Sequence, residues 1–196
     1  MQPKQLHTVL EEIKEVVDPK KHTIISVVTG RKTGEIESVL GSDVPIIRSM
    51  PNTAISVGQS MTCLSSNDRG KENMEYAKTI FNSLGKTMCI EEKLMQAATV
   101  ICASGIAFWM RLIRATTQGA VQLGFDSKEA QELSVQTCLG AASLLIHSGS
   151  HPEQEIDKVT TPSGCTIEGL NEMEHQGLSS SLIKGLVTSF EKINQI

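Results

Sequence analysis

Apolar positions near the start of the chain recur every three to four residues, at Leu6, Val9, Leu10, Ile13, Val16 and Val17, and predict an amphipathic helix that Asp18-Pro19 stops. The spacing then changes. His22 to Val28 is short, apolar and β-branched, the pattern of a strand covered on both faces by helices, as in a parallel sheet. Gly30 opens a turn, and Gly34 to Leu40 reads as a short helix with Ile36, Val39 and Leu40 inward. Val44 to Arg48 predicts a second strand that runs into Ser49-Met-Pro-Asn-Thr53. Met61 to Leu64 reads as a strand, Lys71 to Leu84 as a helix and Lys86 to Ile90 as a last strand. Strands alternating with helices make this an α/β arrangement, about half of a doubly wound, Rossmann-type parallel sheet.

From Glu92 onward strand-like alternation disappears and helical spacing dominates. We place a domain boundary there: residues 1–92 form the C-terminal portion of a dinucleotide-binding type of domain, and residues 93–196 an all-α domain. Helices are expected at about 93–101, 104–124, 127–148, 165–176 and 178–194. Gly124 suits a helix end, Asp126 or Ser127 an N-cap, and Gly177 separates the final pair. The helix from Ser104 to Leu123 carries Ile106, Phe108, Trp109, Met110, Leu112, Ile113, Ala120 and Val121, too many for one narrow stripe. A helix apolar on most sides is buried on most sides, which in so short a domain points to burial in an oligomer, with simple core packing as the alternative.

Composition narrows the partners. The net charge of −4 and pI near 5.8 do not suit a surface built to cover phosphate backbone, and 3% aromatic residues offer few stacking platforms. Nucleic acid is not expected as a partner. No run of about 18 consecutive apolar residues and no basic-apolar leader is present, so no membrane is expected and the chain reads as cytosolic. Five cysteines without a CxxC, and five histidines without ligand-spaced partners, give no zinc or disulfide framework. They read as free thiols and surface imidazoles, and no metal is expected.

A dinucleotide site normally opens with a strand, a Gly-x-Gly-x-x-Gly turn and a helix. Gly30, Gly34 and Gly41 do not have that spacing. On periodicity alone the chain is an incomplete α/β domain followed by helices, and no function follows.

Three stretches add one. Arg48-Ser-Met-Pro-Asn-Thr-Ala54, Cys102-Ala-Ser-Gly-Ile-Ala107 and, above all, Asp157-Lys-Val-Thr-Thr-Pro-Ser-Gly-Cys-Thr-Ile-Glu-Gly-Leu170 resemble the pyrroline-5-carboxylate reductase family in order and spacing. In that family the third stretch reads Val-Thr-Ser-Pro-Gly-Gly-Thr-Thr-x-x-Gly-Leu. The resemblance runs from Pro3 to the C-terminus. The family's glycine-rich cofactor turn lies upstream of it, and Met1 falls where the family has the end of a strand, so a truncated chain is expected. The departures are Ala54 and Ile106 where the family has Pro, and Ser163 and Cys165 within the most specific stretch.

The resemblance implies an NAD(P)-dependent oxidoreductase acting on CH–NH bonds, which transfers hydride from NADPH or NADH to the C=N bond of 1-pyrroline-5-carboxylate and gives L-proline. It further implies a homodimer through the C-terminal helices, assembled in some members into rings of dimers. Thr161, Pro162, Ser163, Gly164, Cys165 and Thr166 would bind the substrate carboxylate through loop amides at a helix N-terminus, with Thr166 hydrogen-bonded to the imine nitrogen as the catalytic group. Val28, Thr29, Gly30, Met50, Pro51 and Asn52 end two strands on the side where open α/β sheets bind ligands and would border the cofactor. Two alternatives stand beside this: a catalytically inactive oligomerisation and substrate-binding module, and a different reductase built on the same sheet.

Overall fold

The computed structural model describes residues 2–195, and the chain divides into two compact units, Met1–Ile106 with Leu186–Ile196, and Ala107–Gly185. Met1, where a family strand was expected to end, lies outside the described residues. The compact division falls later than the change of pattern at Glu92, because the helical segment that follows Glu92 still packs on the sheet through Met95 and Ala98.

In the first unit a 3-10 turn at Pro3–Gln5 leads into α1 (Leu6–Ile13), followed by β1 (Ile24–Ser26), α2 (Thr33–Leu40), β2 (Ile46–Met50), β3 (Ser60–Ser66), α3 (Met74–Asn82) and β4 (Gly85–Cys89). The strands form one sheet in the order β1-β2-β3-β4. β1 and β2 are parallel, as are β3 and β4, but β2 and β3 are antiparallel, so the expected all-parallel sheet is corrected at one pairing. The reason is the length of the connection. Residues 51–59 hold only a 3-10 turn, Thr53–Val57, ended by Gly58 at φ +67°. A parallel crossover needs a dozen or more residues, so this segment reverses the chain instead.

Alternation along β2 divides the core between two faces. Ile46 packs with Leu6, Leu10, Ile36 and Val39 of α1 and α2, while Ile47 packs with Leu64 of β3 and with Ala77 and Phe81 of α3. Every residue of β2 is buried, as a central strand with helices on both sides requires. β2 starts later than predicted. Val44 and Pro45 precede it, and Asn67 takes up the polar groups there, donating from Nδ2 to the Val44 carbonyl at 2.9 Å and accepting at Oδ1 from Ile46 N at 3.0 Å and Gly70 N at 2.7 Å.

Beyond β4 a 3-10 turn at Glu92–Leu94, α4 (Met95–Ala98), a π-helical segment at Thr99–Ser104 and α5 (Gly105–Gln122) follow without a break. The expected interruption between residues 101 and 104 is instead a widened turn, since Ile106 keeps the N–H that proline would lack. The helical stretch Glu92–Gln122 runs for 31 residues, and little of its most apolar part is buried. By length and composition this stretch is apolar enough to cross a bilayer, which the absence of an unbroken apolar run in the sequence does not reveal.

The second unit continues with α6 (Ser127–Ser148), α7 (Pro152–Val159) and α8 (Cys165–His175); α9 (Leu178–Ile193) closes the described chain. Asp126 caps α6 as expected, accepting from Lys128 N at 2.7 Å and Glu129 N at 3.1 Å. α7 was not predicted, because its sequence is mostly polar. Its ends carry the signal: His151 Nδ1 accepts from Glu153 N at 3.3 Å, Gln154 Oε1 accepts from His151 N at 3.1 Å, and Pro152 opens the helix. Between Ala107 and Gly185 only Thr117, Ala130 and Ser134 are buried among the described residues, while Trp109, Met110, Leu139, Leu144 and Ile146 are exposed. These helices lack a core of their own.

Candidate functional site

β1 and β2 are adjacent and parallel, with Ile24 opposite Ile46 and Ser26 opposite Arg48, so the segments leaving their C-terminal ends are neighbours. Val28-Thr29-Gly30 leaves one and Pro51-Asn52 leaves the other. Val28 and Met50 are buried, the Thr29 hydroxyl lies 3.9 Å from Met50 Sδ, and Gly30 turns the chain at φ +78°. The structure therefore brings the six residues expected to border a cofactor to one edge of the sheet.

Asn52 holds its loop in place. Its Oδ1 accepts from Ala54 N at 2.9 Å, its Nδ2 donates to the Cys102 carbonyl at 2.9 Å, and its backbone N–H donates to Ser60 Oγ at 3.2 Å. The carboxamide retains one N–H and one lone pair beyond these bonds for a ligand. The anchoring carbonyl lies in the π-helical segment, where the widened turn alters the usual backbone pairing.

Beneath this edge lies a polar network that sequence reading did not find. Arg48 is 2% exposed, and its Nη1 is 3.2 Å from Glu92 Oε1. Glu92 also accepts from Thr33 N at 2.7 Å and from the Thr33 hydroxyl at 2.8 Å, which places a carboxylate on the N-terminus of α2. Glu35 lies in the same turn, accepting from Lys32 N and Arg31 Nη1, each at 3.0 Å. Burial pushes the Glu35 carboxyl up, but the Lys32 amide and the Arg31 guanidinium outweigh it and hold the group below its ordinary range. An arginine inside an apolar strand signals that an anionic partner exists. Spacing cannot say which one.

In the second unit the chain makes a tight turn before α8. Gly164 N donates to the Thr161 carbonyl at 2.9 Å, Pro162 occupies the first central position, and Ser163 takes the second at φ +54°. Proline followed by positive φ is the pattern of a type II turn. A methyl group on Gly164 would fall on Thr161 Oγ1 and lie 3.0 Å from the Thr161 carbonyl oxygen, so any side chain there would force Thr161 to shift. Gly164 is the N-cap of α8 in extended backbone, φ −81° and ψ 159°, and no side chain caps the helix. The first amides, those of Cys165 and Thr166, have no side-chain cap at the positive helix end, an arrangement able to receive a small anion. Thr161, Cys165 and Thr166 are exposed, and the Thr166 hydroxyl makes no intrachain hydrogen bond among the described residues. The expected substrate loop is thus one structural element, and the expected cofactor edge is another in the other compact unit.

A family model described as pyrroline-5-carboxylate reductase dimerisation matches residues 92–196. Pyrroline-5-carboxylate reductase 1 of Dictyostelium discoideum is 50% identical over 202 residues, an alignment covering 97% of this chain and 36% of that protein. Pyrroline-5-carboxylate reductase 2 of the same organism is 44% identical over 205 residues, covering 97% and 68%. The chain therefore spans about a third of one relative and about two thirds of the other. The structure of Plasmodium falciparum pyrroline carboxylate reductase with NADP bound superposes with a TM-score of 0.91 at 28% identity, covering 100% of this chain and 78% of that one. A pyrroline-5-carboxylate reductase from Coxiella burnetii gives 0.93 at 29% identity, covering 100% and 73%. These matches extend over both the sheet and the helices, and on them the chain belongs to the pyrroline-5-carboxylate reductase family.

Proposed function

We propose that the chain carries out NAD(P)H-dependent reduction of the C=N bond of 1-pyrroline-5-carboxylate to L-proline, as a homodimer built through its helical part. The observation that carries this reading is the Thr161–Gly164 turn feeding the uncapped N-terminus of α8. The amides of Cys165 and Thr166 and the Thr161 hydroxyl bind the substrate carboxylate and fix the ring. The Thr166 hydroxyl donates to the imine nitrogen and orients it for protonation. Positioning and a preformed electrostatic environment do most of the catalytic work.

The nicotinamide cofactor supplies the hydride when bound. The edge formed by Thr29, Gly30, Met50, Pro51 and Asn52 fits its nicotinamide end, since the loops stand at the C-terminal ends of adjacent parallel strands and Asn52 keeps hydrogen-bonding capacity.

Dimerisation is supported by the exposed apolar side chains of α5 and α6, Trp109, Met110, Leu139, Leu144 and Ile146, which a second copy would cover. The five cysteines are all unpaired, which suits a reducing, cytoplasmic compartment.

Calorimetry of L-proline binding in the presence of NADPH tests this reading. The wild-type chain should bind, and Thr166→Ala should bind about three- to tenfold more weakly, the worth of one hydrogen bond of about 0.5–1.5 kcal/mol. Binding unaffected by Thr166→Ala would remove the assigned role. Proline binding that is indifferent to NADPH, with no turnover by the folded chain, would overturn the reductase reading in favour of an inactive substrate-binding and oligomerisation module.

A further inference from the structure

Cys63 in β3 and Cys102 in the π-helical segment converge in the third core cluster, beside Met50, Met95 and Ala98. Their Sγ atoms are 3.9 Å apart and share a hydrogen bond. Cys63 is 3% exposed and Cys102 half-buried, so Cys102 is the more accessible residue of the two. Neither thiol has a part in the reaction described above. A disulfide has its sulfurs about 2.05 Å apart, so the bond needs a closure of about 1.9 Å.

We propose that Cys63 and Cys102 form a dithiol pair that a hydroperoxide oxidises reversibly to a disulfide. The hydrogen bond from the Cys63 thiol to the Cys102 sulfur favours the Cys102 thiolate, lowering its pKa to about 7, while the same bond together with burial pushes Cys63 up. Cys102 is therefore the attacking sulfur and Cys63 the resolving one. The Cys102 thiolate attacks the terminal peroxide oxygen, the O–O bond breaks, and the other oxygen takes up a proton and leaves as water, or as an alcohol from an organic hydroperoxide, giving a sulfenic acid. The Cys63 sulfur then attacks that sulfur; the S–O bond breaks, the Cys63 proton leaves with the oxygen as water, and the disulfide forms. The two thiols lose two electrons, the peroxide gains them, and a dithiol reductant reverses the change. The crosslink would join β3 to the π-helical segment next to the bond that holds Asn52.

The test treats the intact chain with hydrogen peroxide, alkylates the remaining thiols and maps the peptides. The expected product is a linked peptide pair containing Cys63 and Cys102 within one chain, with two fewer alkylated thiols, restored by dithiothreitol. Cys102→Ser should abolish the link and leave Cys63 alkylatable after unfolding, whereas Cys63→Ser should leave Cys102 as a sulfenic acid reactive toward dimedone. Cys63→Ala, folded by circular dichroism, should slow alkylation of Cys102 at neutral pH about fivefold, the net of a smaller thiolate fraction and a more nucleophilic thiolate. The proposal is overturned if Cys102 proceeds to sulfinic acid without linkage, if only Cys89, Cys138 or Cys165 reacts, or if the link joins two chains.

Discussion

Replacing Glu92 by alanine removes one carboxylate and three interactions at once. Arg48, 2% exposed, loses its ion pair at 3.2 Å, and Thr33, also buried, loses the acceptor for its amide and its hydroxyl at 2.7 and 2.8 Å. Stranding a fully buried charge costs about 3–5 kcal/mol, and losing a carboxylate at a helix N-terminus costs about 0.3–1 kcal/mol. The Glu92 side chain is itself 30% exposed, so water partly replaces it and the expected loss falls to about 2–3 kcal/mol. Urea unfolding followed by circular dichroism should show a lower midpoint with an unchanged slope. The double substitution Arg48→Met with Glu92→Leu removes both charges and should recover part of that loss, because no cation is left stranded. A loss below about 1 kcal/mol for Glu92→Ala, or a double variant less stable than the single one, would refute the claim that a buried charge is neutralised there.

Asn67→Ala should destabilise by about 3 kcal/mol in the same assay, since it orphans the buried amides of Ile46 and Gly70 and the carbonyl of Val44. Ser163→Gly should stabilise the substrate turn by about 0.5–1 kcal/mol, the relief of positive φ less the added freedom of the unfolded chain, read as slower hydrogen exchange of the Gly164 amide. Gly164→Ala should do the reverse, opening the turn and weakening proline binding, because its methyl collides with Thr161. Asp126 accepts the Glu129 and Lys128 amides, and these hold its carboxyl below the ordinary value. The cap's contribution is thus fully present above the unfolded-state pKa and is lost as pH falls through the lower folded-state value. Helicity at the start of α6 should decline over that acidic range in the wild type, and Asp126→Asn should remove the dependence while keeping the cap.

Much of the fold was legible because local rules produced it. The helix at Leu6–Ile13, the strand around Ile46–Ile47 and the cap at Asp126 follow from periodicity and end residues, which act within a few positions. The Thr161–Thr166 loop was legible through its Pro-x-Gly spacing and its family likeness, and the turn gives that spacing a physical reason: Ser163 takes positive φ and Gly164 leaves room for Thr161. α7 was missed because it has no apolar stripe broad enough to register, although its capping residues were there to be read.

What the sequence by itself determined is most of the succession of elements and a tight turn opening α8, since each depends on neighbours along the chain. Only the tertiary structure decided the antiparallel pairing of β2 with β3, the partnership of Arg48 with Glu92 and Thr33, the tie from Asn52 to Cys102, and the approach of Cys63 to Cys102. These join residues separated by many positions, and a periodic pattern shows which face a side chain occupies without showing what faces it. Burial makes an unpaired charge or amide too costly to leave, so partners must exist, and folding selects them by distance in space.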